Sequence, residues 1–112
     1  MFGRLKGTEW GRIHEESEVL AMQAEELQFS DPAMSRTLYH EAAIKEEEAL
    51  QLVPQDKQRT YEIVVYSTAV LYYKSADFIN ARRICKEHRN KLVDEHCLHR
   101  LEEVVLALDN QN

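Results

Sequence analysis

The sequence predicts an all-α fold: an antiparallel array of about five helices. Turn formers are scarce, with 3 Gly and 2 Pro among 112 residues, too few for the many hairpins of a β-rich chain. Apolar residues recur at intervals of three, four or seven, the helical period rather than strand alternation. The breaks in that pattern fall on helix-stop and helix-start residues: Asp31-Pro32, Pro54 and Asp77.

The first helix begins near Thr8 or Glu9. Trp10, Ile13, Leu20, Ala24 and Leu27 form one apolar stripe, and Glu15, Glu16, Glu18, Glu25 and Glu26 fill the polar face. Asp31 can cap the second helix and Pro32 can take its first position, where a missing N–H costs nothing. That helix runs to about Leu52 with Met34, Leu38, Ala42, Ala49 and Val53 inward and the run Glu46-Glu47-Glu48 mostly outward. Pro54 stops it. The third helix starts after Gln55-Asp56 and reaches about Ser75. Its apolar residues, from Tyr61 to Tyr73, go nearly all the way round, so it belongs at the centre of the fold. Asp77 caps a fourth helix, Phe78 to about Arg89, with Phe78, Ala81, Ile84 and Cys85 inward. A fifth runs from about Leu92 to Leu108, with Cys97, Leu101, Val104 and Leu108 on one stripe. The whole reads as one domain over 1–112, with 1–7 a loose N-terminal arm and 109–112 a disordered tail.

The net charge of −6 disfavours a general nucleic-acid binder. The charge is unevenly spread: Glu9 to Glu48 holds 11 acidic and 3 basic residues, Ile79 to Lys91 holds 5 basic and 1 acidic. The two cysteines, Cys85 and Cys97, with no secretory signal ahead of them, indicate free thiols in a reducing, cytoplasmic setting. No run approaches the ~18–20 apolar residues of a membrane span.

Tyr72-Tyr73-Lys74-Ser75-Ala76-Asp77-Phe78-Ile79-Asn80-Ala81 resembles the turn of a tetratricopeptide (TPR) hairpin: an aromatic pair closing one helix, a short polar turn, Asp with an aromatic, then a small residue. Ala69 stands where that family needs a small residue for close helix packing. Ala42, Ala49 and Pro54 give a second, thinner match to a TPR second helix and its terminating proline. The spacing departs from a clean ~34-residue period, Ala76 stands where the family usually has Gly, and Cys85 and His88 replace a common aromatic and Ala. The resemblance implies two degenerate hairpins plus a closing helix, stacked in a right-handed superhelix. It also implies a protein-binding groove lined by Ile63, Tyr66, Val70, Tyr73 and Lys74. The competing reading is that the first helix or a second subunit covers that face as core. The face lacks the basic and Asn residues with which some TPR proteins clamp a chaperone carboxylate.

Catalytic signatures are missing: there is no Gly-rich phosphate loop, no G-x-S-x-G, no H-E-x-x-H and no Glu-x-x-His pair. The expectation is therefore a binding protein without a cofactor rather than an enzyme. Two other patterns stand beside it. Cys85 and His88, with His96 and His99, are pairs at helical spacing that a short hairpin could join as a tetrahedral metal site; surface histidines are the commoner outcome. Arg82, Arg83, Lys86 and Arg89 form a basic patch for an acidic peptide, phosphate or RNA, against the plainer reading of a solvated face that pairs with nearby carboxylates. The expected partner is another protein, contributing a peptide or an amphipathic helix, or a second copy docked through the first or fifth helix.

Overall fold

A computed structural model describes residues 8–111. Five α-helices follow in order: α1 (Glu9–Leu27), α2 (Pro32–Leu52), α3 (Gln58–Lys74), α4 (Phe78–His88) and α5 (Glu95–Asp109), with a 3-10 turn at Arg89–Lys91. Among the described residues there is no strand. The expected arm 1–7 and residue 112 lie outside the described residues. Of the expected tail, Asp109 is the last residue of α5, and the Asn110 and Gln111 amides donate to the Leu106 and Leu108 carbonyls.

Four of the five helices start where a side chain satisfies the free N–H groups of the first turn, while α3 begins after Lys57 with no side-chain cap. The Thr8 hydroxyl accepts from the Gly11 amide, the Asp31 carboxylate from Met34, and Asp77 from Asn80. Asp94 accepts from both His96 and Cys97. That last cap moves the start of α5 to Glu95, three residues later than the apolar pattern suggested. Leu92 is buried ahead of the helix in an extended backbone.

Each helix packs on the next, and α5 also returns to α3. α3 is therefore flanked by α2, α4 and α5, as its all-round apolar surface requires. The core joins Ala42, Ala43 and Leu50 of α2, Val64, Val65, Ala69 and Tyr72 of α3, Ala81 and Ile84 of α4, and Leu101, Val104 and Leu108 of α5. Small residues set the close contacts. Ser35, Ala42 and Ala49 repeat every seven positions along α2, all buried, against Gly11, Ser17 and Ala24 of α1. The backbones come near enough for Ser17 to donate to the Ala42 carbonyl at 2.9 Å and Ser35 to the Ala24 carbonyl at 2.6 Å.

Two details of α2 differ from the expected pattern. Met34 is exposed. Glu46, placed outward by its run of like charges, is 1 % exposed, and Glu47 is largely buried. Both carboxylates are held by partners distant in sequence. His14 donates through Nδ1 to Glu46 at 2.9 and 3.1 Å. Glu47 receives a two-pronged guanidinium from Arg83 at 2.8 and 2.9 Å and the Tyr72 hydroxyl at 2.7 Å. The second cluster ties α2, α3 and α4 together, and the Arg83 hydrogen bonds, with that of Tyr72, hold the Glu47 carboxyl below its usual range despite burial.

The turn between α3 and α4 closes with a Schellman motif. The Asp77 amide donates to the Tyr72 carbonyl and the Ala76 amide to the Tyr73 carbonyl. The motif puts Ala76 at φ 66°, in the left-handed region that favours glycine.

Candidate functional site

The five residues of the expected groove are only partly free. Lys74 is exposed, with its ammonium over the Tyr39 ring at 5.5 Å. Tyr66 carries the Arg100 guanidinium of α5 over its ring at 4.3 Å. Tyr73 lies against Phe78, with ring centroids 5.5 Å apart, and its hydroxyl accepts from Gln111. Val70 is half-buried against the core. Part of this face is thus covered from within the chain, by Arg100 of α5 over Tyr66 and by Phe78 and Gln111 at Tyr73, rather than by the first helix. Ile63 is left open, 49 % exposed.

Ile63 lies in a half-open cleft of about 560 Å³ between the first half of α3 and the start of α5. Arg59, Glu62, Val93, Asp94, His96, Cys97 and Arg100 line it as well. Val93 stands 77 % exposed on the opposite wall. One buried carboxylate builds this wall. Glu62, 1 % exposed, accepts from the Gln58 side chain at 2.7 Å and from the Val93 and Asp94 amides at 3.0 and 3.1 Å. Burial alone would raise its pKa, but the three donors together hold the carboxyl below its usual range, so it is anionic at neutral pH. It clamps the chain where it enters α5, and so sets where Val93, His96 and Cys97 stand. The sequence offered one signal for it, a lone Glu within the least polar helix, and its role could not be read there because both amide partners lie about thirty positions away.

Arg59 and Arg100 carry no ion pair among the described residues, whereas the basic patch of α4 is largely spent within the molecule. Arg82 pairs with Asp109 at 2.8 Å, Arg83 with Glu47 and Glu87, and Arg89 with Glu102. Lys86 alone of the four has no such partner among the described residues. Three of the four cations expected to form a phosphate or RNA patch are thus engaged in ion pairs within the chain, because α2 and α5 both present carboxylates to α4.

The expected metal set does not assemble either. Cys85 points into the core, and burial pushes its thiol pKa up to about 11. His88 shares a 2.7 Å hydrogen bond with the Tyr61 hydroxyl through Nδ1. His96 lines the α3–α5 cleft, and His99 is exposed beside Glu103. The four donors face four different surroundings. Among the described residues no group of three or more His, Cys, Asp or Glu side chains could hold a metal ion. Both cysteines are free, and no helix among these residues is long and apolar enough to cross a membrane.

By class, then, the chain is an all-α array of sequentially packed helices with a fifth helix laid back on the central one. Neither a protein-family model, nor a curated protein, nor a solved structure matches it.

Proposed function

We propose that the chain is a protein-interaction module, built of degenerate TPR-like hairpins, which acts by binding rather than by catalysis. Its binding site is the cleft between α3 and α5, and the ligand is an apolar segment of a partner protein, extended or helical. The observation that carries this reading is the pair Ile63 and Val93. They are large apolar side chains left open on facing walls of one cleft, while nearly every buried polar group around them is already bonded. Concave clefts of this size are the usual seats of ligands. Exposed aliphatic groups gathered in one concavity are best explained by a partner that covers them.

The TPR-like part of the reading is supported by the α3–α4 turn. Asp77 caps α4, Ala69 and Ala81 are fully buried where the two helices meet, and Ala76 adopts the left-handed conformation for which that family usually supplies Gly.

The test is selection from a random peptide display library against the folded chain. Enriched peptides are expected to carry aliphatic anchors and to lose at least tenfold in affinity on Ile63→Asp with Val93→Asp. Both substitutions fall on exposed positions, so the helical circular dichroism should be retained. Enriched peptides that bind this folded variant as well as the parent chain would remove the cleft from consideration.

A further inference from the structure

We infer that a second groove, between α1 and α3, docks a basic amphipathic helix from a partner protein. This extends the binding-module reading to another surface, and the two surfaces are tested by different substitutions.

The groove has a volume of about 380 Å³. Ala21, Leu71 and the Tyr39 ring make its apolar floor. Glu18, Met22 and Glu25 form the α1 lip and Lys74 the α3 lip. Met22 is 63 % exposed and Val19, one turn before it, 54 %. Glu15, Val19, Met22 and Glu26 sit at i, i+4, i+7 and i+11, so they share one helix face, with Glu18 and Glu25 beside them toward the groove. The result is an aliphatic and thioether stripe edged by carboxylates along three turns of α1, about 17 Å of helix. Methionine fits irregular apolar partners well.

The charges on this face remain available. Glu16 is paired with Arg12 and Lys45. Glu18, by contrast, reaches only His14, at 3.5 Å, and Glu15, Glu25 and Glu26 have no ion pair among the described residues. The groove already holds one cation of the chain's own. The Lys74 ammonium over the Tyr39 ring shows that a positive group is accommodated on this aromatic face. A partner with Lys or Arg two turns apart would meet Glu18 and Glu25, and its aliphatic residues would cover Val19 and Met22.

The same features exclude other occupants. Nucleic acid and anionic lipid would meet like charge. A second copy docked α1 on α1 would oppose carboxylate to carboxylate, and the guanidinium groups of α4 that might attract α1 are mostly paired internally.

The probe is a synthetic 14-residue Leu/Lys peptide with its leucines on one helical face, titrated into the full chain by fluorescence anisotropy. A peptide of identical composition with scrambled order is the comparison. The amphipathic peptide is expected to bind at least tenfold more tightly than the scrambled one. Binding should weaken with salt, weaken at least tenfold on Glu18→Lys with Glu25→Lys, and remain unchanged on Ile79→Asp, an exposed α4 position that lines neither groove. Glu18→Gln with Glu25→Gln removes the charge without reversing it and should show a smaller loss, which keeps the test sound if the reversal variant folds poorly. Equal binding of the two peptides overturns the proposal. So does binding that survives both charge variants or that falls instead with Ile79→Asp. Self-association that these charge variants abolish in sedimentation would assign the groove to a second copy and overturn it as well.

Discussion

Replacing Glu62 tests whether one buried carboxylate holds the entry to α5. In the parent chain its two oxygens accept from Gln58, Val93 and Asp94. Glu62→Ala removes all three bonds. A hydrogen bond to a charged group contributes about 1.5–3 kcal/mol, but the three do not simply add. The Val93 and Asp94 positions are exposed, so water can reach the freed amides, and the burial cost of a carboxylate, itself several kcal/mol, disappears with the side chain. The net loss worked from these terms is about 2–3 kcal/mol. For a domain of this size that lowers Tm by roughly 8–12 °C. Glu62→Gln keeps the shape but has one acceptor oxygen. Its NH₂ group must face a donor, most readily the Asp94 amide, so it should cost about 1–2 kcal/mol. Urea unfolding gives the stabilities, and amide hydrogen exchange locates the effect. The Ala variant should lose protection at the start of α5 while the α1–α2 contact keeps it. Because the folded pKa of Glu62 is depressed, its contribution is present above the unfolded value near 4.3 and disappears as pH falls through the folded one. A loss below about 0.5 kcal/mol for Glu62→Ala, or exchange unchanged at Val93 and Asp94, would refute the clamp.

Two further predictions follow from the same bookkeeping of partners. Ala76→Gly should stabilise the chain by about 0.5–1 kcal/mol, since a left-handed L-residue costs about 1–2 kcal/mol and glycine's extra freedom when unfolded returns part of it; thermal unfolding reads the shift, and a lower Tm would contradict the Schellman assignment. His14→Ala should cost about 1–3 kcal/mol by leaving buried Glu46 without its donor, and more at pH 5.5 than at pH 8.5. The Glu46 hydrogen bond, opposed by burial, raises the folded pKa of His14, so its added stability is full below the unfolded value near 6.5 and is lost as pH rises through the folded one. Denaturant titrations at the two pH values check the sign, and a cost that grows toward high pH would reverse it.

What the sequence determined by itself was local. Asp31, Asp77 and Pro54 mark helix ends because capping and proline geometry act within a few residues, and each marks an observed boundary. The stripe Leu101, Val104, Leu108 and the small residues Ala42, Ala49, Ala69 and Ala81 were legible as core for the same reason: a 3.6-residue period places them on one face whatever the partner. Tertiary structure decided everything that depends on which helix lies opposite. A run of three glutamates reads as solvated, yet Glu46 is buried and Glu47 partly so because His14 and Arg83 come to them from 32 and 36 positions away. The expected groove on α3 reads as open or shared, yet Arg100 of α5 lies over Tyr66, Phe78 and Gln111 meet Tyr73, and Ile63 is left uncovered. Helical period and capping are set by neighbours in the chain. The partner of a charge and the cover of a face are set by the return path of helices far along it, and no pattern within one helix carries that information.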